Sequence, residues 1–299
     1  MSHSPERRRL LLAAASLPFA LALKSRAATM PVLETNDARF AELERRYDGR
    51  LGVSALDTGS GARLGYRMDE RFAFCSTFKA MLAGAILARS VGDAGLLQRR
   101  IRYTQADLVS HSPVSGSRVV DGMTVAELCA AAIRYSDNTA ANLLIRQLGA
   151  PADVTAFARS IGDDVFRLDR WETELNTALP GDLRDTTTPA AMARSLQALT
   201  LGDALPVAQR VQLQEWLRGN TTGAKRIRAG VPDGWSVGDK TGSGDYGTTN
   251  DIAVLWPPGR MPIVLAVYFT RPVQDAGWAD AAIADAARLV VKTFVRTGR

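Results

Sequence analysis

A serine and a lysine three residues apart, Ser76 and Lys79, open an alanine-rich stretch of the chain. On a helix that step brings both side chains to one face. A helix N-terminus lowers the cost of negative charge near the serine oxygen, as an activated hydroxyl nucleophile requires. An N-cap serine with an exposed lysine uses the same residues. Three further segments invite a chemical reading. Ser136-Asp137-Asn138 follows Arg134-Tyr135 at a helix junction, and alone it also reads as an N-cap cluster for a helix over 139–148. Lys240-Thr241-Gly242 sits on a strand running into Ser243-Gly244-Asp245. Gly242 and Gly244 let backbone approach a ligand closely, and an amide there can face an oxyanion; a hairpin turn is the alternative. The fourth segment, from Arg167 through Glu172 and Asn176 to Asp185, has little hydrophobic periodicity and two ion-pair partners, Arg170 and Asp185, at its ends. That suits a compact omega-type loop closed by a salt bridge, or a solvated charge run.

Composition removes several other chemistries. The 299 residues are 46% hydrophobic and 23% charged, an ordinary globular balance with ample core to bury. Two cysteines make neither a disulfide-rich scaffold nor a four-cysteine zinc site. The two histidines are His3 and His111, so a multi-histidine metal site is excluded and no metal is expected. A Ser-His-Asp hydrolase would have to rest on His111 alone.

Residues 1–28 read as a signal peptide: Arg7-Arg8-Arg9, an apolar run to about Leu23, then small residues near Ala22, Ala27 and Ala28. The run is too short for a membrane anchor. Arg-Arg-x-Leu-Leu also admits the twin-arginine route. A periplasmic or secreted protein is expected, with no membrane contact after cleavage. Removing the segment leaves 32 basic against 30 acidic residues, so the high pI is partly an address label and nucleic acid is not an expected partner.

The elements that must position these residues follow from periodicity and caps. A helix is expected over 36–48, a strand over Leu51–Leu56, and a hairpin turn over Asp57–Gly61. From about 76 to 218 the pattern is helical, with a capping box at Thr124-x-x-Glu127 and an N-cap at Thr188-Pro189. Strands return at Trp235–Thr241, Thr249–Trp256 and Met261–Phe269, and a last helix spans roughly 277–295. The implied fold is α/β: a discontinuous antiparallel-sheet domain, 29–68 with 219–299, holding an inserted all-helical domain, 69–218, with the site between them. The omega-type loop falls at about 167–185.

In this order the four segments resemble the class A serine β-lactamases, over roughly residues 30–299. Asn220-Thr221-Thr222-Gly223 and Lys240 through Asp251 look most like the cefotaxime-hydrolysing subgroup. The resemblance implies that Ser76 opens a β-lactam ring after Lys79, or Glu172 acting through water, removes its proton. It makes Ser136 the proton relay to the leaving nitrogen, held by Lys240. Backbone amides of Ser76 and Ser243 would form the oxyanion hole. Asn138 would bind the substrate side chain, Thr241, Gly242 and Ser243 would line the strand beside it, and His111 would stand as a gate. Glu172 and Asn176 would activate the deacylating water. Arg226 would bind the substrate carboxylate alone, since Ala279-Asp280-Ala281 supplies no second cation.

The family also implies small-molecule β-lactam substrates, a monomer and no cofactor. A cis Glu172–Thr173 bond is implied too, at the position where relatives often have proline. Cys75 and Cys129 are expected to stay reduced, because the partner positions read Gly244 and Ala83. A penicillinase that also turns over cefotaxime-like drugs and handles carbapenems poorly is the expected range. A penicillin-binding peptidase or penicillin sensor shares the nucleophile but lacks the Glu172-x-x-x-Asn176 loop.

Overall fold

The computed structural model describes residues 37–297; the expected signal peptide lies outside them. A five-stranded antiparallel sheet forms the centre. Its strands are β1 (Arg50–Asp57), β2 (Arg63–Tyr66), β3 (Ser236–Ser243), β4 (Thr249–Trp256) and β5 (Ile263–Thr270), in the order β2-β1-β5-β4-β3. β5 reads as an unbroken apolar run, Ile263 through Phe269, because both faces of the sheet are covered. One face carries α1 (Asp37–Tyr47) and α8 (Asp280–Thr297), packed through Phe40, Ile283 and Phe294. The other receives a helical layer built around α2 (Phe78–Gly92). From Phe78 to Leu87 every residue of α2 is buried, and all but Lys79 are apolar, so the helix sits at the layer's centre.

Around α2 pack α3 (Val125–Arg134), α4 (Asn138–Leu148), α5 (Pro151–Ser160), α6 (Pro189–Thr200) and α7 (Val207–Arg218). The capping box at Thr124 and Glu127 and the N-cap at Thr188 form as the sequence suggests. The segment read as helical also contains two short ladders, Phe72–Ala73 with Thr186–Thr187 and Arg100–Ile101 with Met123–Thr124. Two-residue strands leave no periodicity to detect. The first matters for the site. It ties the chain just before Ser76 to the residues that follow the omega-type loop.

Candidate active site

Ser76 does not open a helix. It lies in a 3₁₀ turn, Cys75–Thr77, that leads into α2, and Thr77 is the N-cap. The turn is pinned from below: Thr77 Oγ1 donates to Phe74 O at 2.8 Å, and Asn250 Nδ2 donates to Phe74 O at 3.1 Å. Phe74 itself stacks on Phe166 with ring centroids 4.9 Å apart. Cys75 takes φ +46° and Ser136 φ +56°, left-handed values that are costly for residues with a Cβ and cluster where function over-determines the backbone. β3 approaches this turn so closely that a Cβ on Gly242 would lie 2.6 Å from Phe74 O. Only glycine fits there.

Six polar side chains then converge out of bulk water. Lys79 Nζ donates to Ser76 Oγ at 3.0 Å, to Ser136 O at 2.9 Å and to Asn138 Oδ1 at 2.6 Å. Ser76 Oγ in turn donates to Glu172 Oε1 at 3.1 Å, and the same oxygen is 2.9 Å from Lys79 Nζ. Lys240 Nζ donates to Ser136 Oγ at 3.0 Å and to Thr241 O at 2.8 Å. Both lysines are fully buried, and burial lowers both pKa values from the ordinary range. For Lys79 the charge of Glu172 opposes that shift. Lys240 falls further, because the Lys79 charge adds to burial while Asp239 and Asp251 oppose it. Proton transfer near neutral pH needs amines brought toward that range.

The Ser136-Asp137-Asn138 segment serves structure and site together. Asp137 caps α4 through Ala140 N and accepts two further bonds at Oδ2, from Val114 N and Ser115 N. The backbone N–H of Asn138 donates to His111 O at 3.0 Å, which brings His111 to the cleft rim. Asn138 is engaged at both ends, since its Nδ2 donates to Ser110 O at 2.9 Å. One N–H remains for a substrate.

The omega-type loop closes as expected: Arg170 Nε meets Asp185 Oδ2 at 2.5 Å, and Asp185 also accepts from the backbone of Asp169 and Arg170. The Glu172–Thr173 peptide is cis. Asn142, absent from the sequence-based set, holds the backbone of Glu172 on both sides, accepting from its N–H at 3.0 Å and donating to its carbonyl at 2.8 Å. Its only advance signal is a position one turn after Asn138 on α4. Asn176 Nδ2 donates to Glu172 Oε2 at 2.5 Å, while its buried Oδ1 has no partner among the described residues.

Arg226 is buried, and its guanidinium donates to Asp280 Oδ1, Gly242 O, Asn250 O and Ser243 Oγ at 2.7–2.8 Å. The stretch at 279–281 holds no second cation, but it supplies the counter-charge. Arg226, Asp280, Thr241, Gly242 and Ser243 line one cleft of about 500 Å³ with Ser76, Ser136, Asn138, Asn176 and His111. The sequence reading also missed Trp278, which is 63% exposed at the cleft and donates its Nε1–H to Gly244 O at 3.3 Å.

Cys75 and Cys129 are free thiols, both buried, and burial pushes both pKa values up. A neutral, buried thiol is a poor nucleophile. Native protein is therefore expected to give no reaction with a disulfide reagent, and denatured protein two thiols per chain. Finding none after denaturation would contradict the free pair.

A family model described as the beta-lactamase enzyme family matches residues 36–294. A carbapenem-hydrolyzing beta-lactamase KPC of Klebsiella oxytoca is 57% identical over 287 residues, 96% of each chain. Beta-lactamase CTX-M-8 of Citrobacter amalonaticus is 54% identical over 87% of this chain and 90% of its own. Among solved structures, a variant of the last common ancestor of Gram-negative bacteria beta-lactamase class A superposes with a TM-score of 0.84 at 62% identity, covering 86% of this chain and 97% of that one. With the match running from α1 to Phe294 in the last turn of α8, the chain belongs to the beta-lactamase enzyme family, as a class A enzyme.

Proposed function

We propose that Ser76 Oγ attacks the β-lactam carbonyl while its proton passes to Lys79, or to Glu172 through a water. The ring C–N bond breaks, and its nitrogen takes a proton through Ser136, whose hydroxyl Lys240 holds. Amides of Ser76 and Ser243 stabilise the oxyanion. A water then gives a proton to Glu172 and attacks the Ser76 ester; the bond from Ser76 Oγ to the acyl carbon breaks as Oγ takes that proton back, releasing the penicilloate-type product. The observation that carries this reading is the buried Glu172 carboxylate, bonded at once to Ser76, to Lys79 and to Asn176. A peptidase or sensor has no use for that carboxylate. Purified mature protein should turn over a chromogenic cephalosporin, and Ser76→Ala should abolish turnover. A single stoichiometric burst without turnover would favour the sensor reading.

Within that reading Arg226 binds the substrate carboxylate, and Asp280 competes for it. Asp280→Asn keeps an acceptor for Arg226 Nε but removes the opposing charge. The pair is part-exposed, with the Asp280 side chain 35% accessible. The expected result is a KM for penicillin lowered roughly two- to fivefold with kcat little changed. A raised KM would assign Asp280 an orienting role instead. The substrate range proposed is penicillins and cefotaxime-like cephalosporins, the latter drawn by Asp245, with carbapenems poor substrates. Export by way of residues 1–28 and a monomeric state complete the proposal; among the described residues no helix is long and apolar enough to cross a membrane.

A further inference from the structure

A second cavity, of about 650 Å³, opens against residues 178–184 of the omega-type loop and shares no lining residue with the catalytic cleft. Five arginines line it: Arg50, Arg67, Arg71, Arg184 and Arg271. Three of them are answered by carboxylates, Arg50 and Arg67 by Glu70, Arg67 also by Glu44, and Arg184 by Asp182. Arg71 and Arg271 have no ion pair among the described residues. Each is half-buried and fixed by uncharged acceptors. Arg71 Nη1 donates to Val165 O and Thr186 Oγ1, while Arg271 donates from Nε to Tyr47 O and from Nη1 to Gly277 O. Three of the five N–H groups on each therefore have no protein acceptor among the described residues. Guanidinium groups each fixed by two bonds, with donors to spare and no counter-ion, are suited to capture of oxyanions. Three carboxylates also line the cavity; Glu44 and Asp182 are paired with Arg67 and Arg184, and Asp48 is exposed and has no ion pair among the described residues.

We propose that this cavity binds a small organic polyanion. Its carboxylate or phosphate groups are held by Arg71 and Arg271, and its carbon body rests on Leu179, Pro180 and Pro272. The cavity wall continues into the catalytic loop by two routes. Ala178 lies two residues from Asn176, and the N–H of Arg271 donates to Tyr246 O at 2.7 Å beside Asp245, whose own N–H donates to Asn176 O at 3.0 Å. On the function proposed above, an occupant that braces both routes acts on deacylation more than on acylation. The binding itself does not depend on that function.

Calorimetry on the mature chain, at constant ionic strength, would use citrate as the carboxylate probe and pyrophosphate as the phosphate probe. One saturable site per chain is expected with at least one probe, and the probe that binds identifies the charged group preferred. Arg71→Ala and Arg271→Ala should each weaken it about tenfold or more, and Asp48→Asn should tighten it. The catalytic cleft also carries cations, so amide chemical shifts of the unmutated protein locate the probe without relying on a variant's folding. Shifts at Gly181–Arg184 and Arg271 support the site. Shifts centred on Thr241–Ser243, or no saturable heat with either probe at low millimolar concentration, overturn it. Because these readouts involve no turnover, their failure leaves the hydrolytic reading standing, and a failure of that reading leaves the site standing.

Discussion

Replacing Glu172 with alanine is expected to trap a penicillin on Ser76. The variant keeps the Lys79 route to acylation: Lys79 Nζ still reaches Ser76 Oγ, Ser136 O and Asn138 Oδ1. It also loses the charge that chiefly opposes the lowering of the Lys79 pKa, so that pKa falls further and the amine becomes a more available base. Deacylation has no such substitute. Its water loses the Glu172 carboxylate, and Asn176 loses the oxygen that orients it. General-base assistance contributes typically 10²–10⁴-fold, so the deacylation rate should drop by about that factor. Mass spectrometry after mixing with a penicillin would show the adduct persisting, whereas a rapid return to free enzyme would refute the role given to Glu172.

Arg226→Ala is the second large expected effect. The guanidinium donates four hydrogen bonds and keeps one N–H of Nη2 uncommitted among the described residues, at the cleft wall beside Ser243. Losing a charge-assisted carboxylate contact should cost on the order of 1.5–3 kcal/mol of transition-state binding, hence roughly ten- to over a hundredfold in kcat/KM. Burial adds a consequence the sequence did not suggest. Gly242 O, Asn250 O and Asp280 lose a donor together, so a lower melting temperature should accompany the kinetic loss. Kinetics on a penicillin and on cefotaxime test the first part. Unchanged efficiency on both would leave Arg226 as a brace between β3 and β4 only.

What could be read in the chain follows the range of the interactions involved. Ser76 with Lys79, the Asp137 cap and the Arg170–Asp185 neck lie at helical spacing, at a helix junction or across one loop, and each shows in residue type and separation. β4 and α8 declare themselves by apolar pattern. The Arg226–Asp280 pair joins the segment before β3 to the start of α8, and Asn142 on a helix meets Glu172 on a loop 30 residues away. Neither contact has a fixed offset, so spacing carries no trace of it. The turn at Ser76 escaped for another reason. Nothing in Cys75-Ser76-Thr77-Phe78 separates a 3₁₀ start from an α-helical one until Thr77 and Asn250 both bind the Phe74 carbonyl.

The placement of β1 has a consequence for how the molecule comes into being. β1 is laid down early in synthesis, yet its long partner is β5, with Val53 opposite Val267 and all eight residues from Arg50 to Asp57 in register. On its other side it has only the four-residue β2. The central sheet therefore cannot close until most of the chain has emerged, and the helices that pack against β5 have no floor before then. Such sequence-distant pairing makes assembly slow. A ribosome-bound chain lacking β5 should accordingly remain protease-sensitive throughout, and protection should arrive in one step once β5 is free to pair.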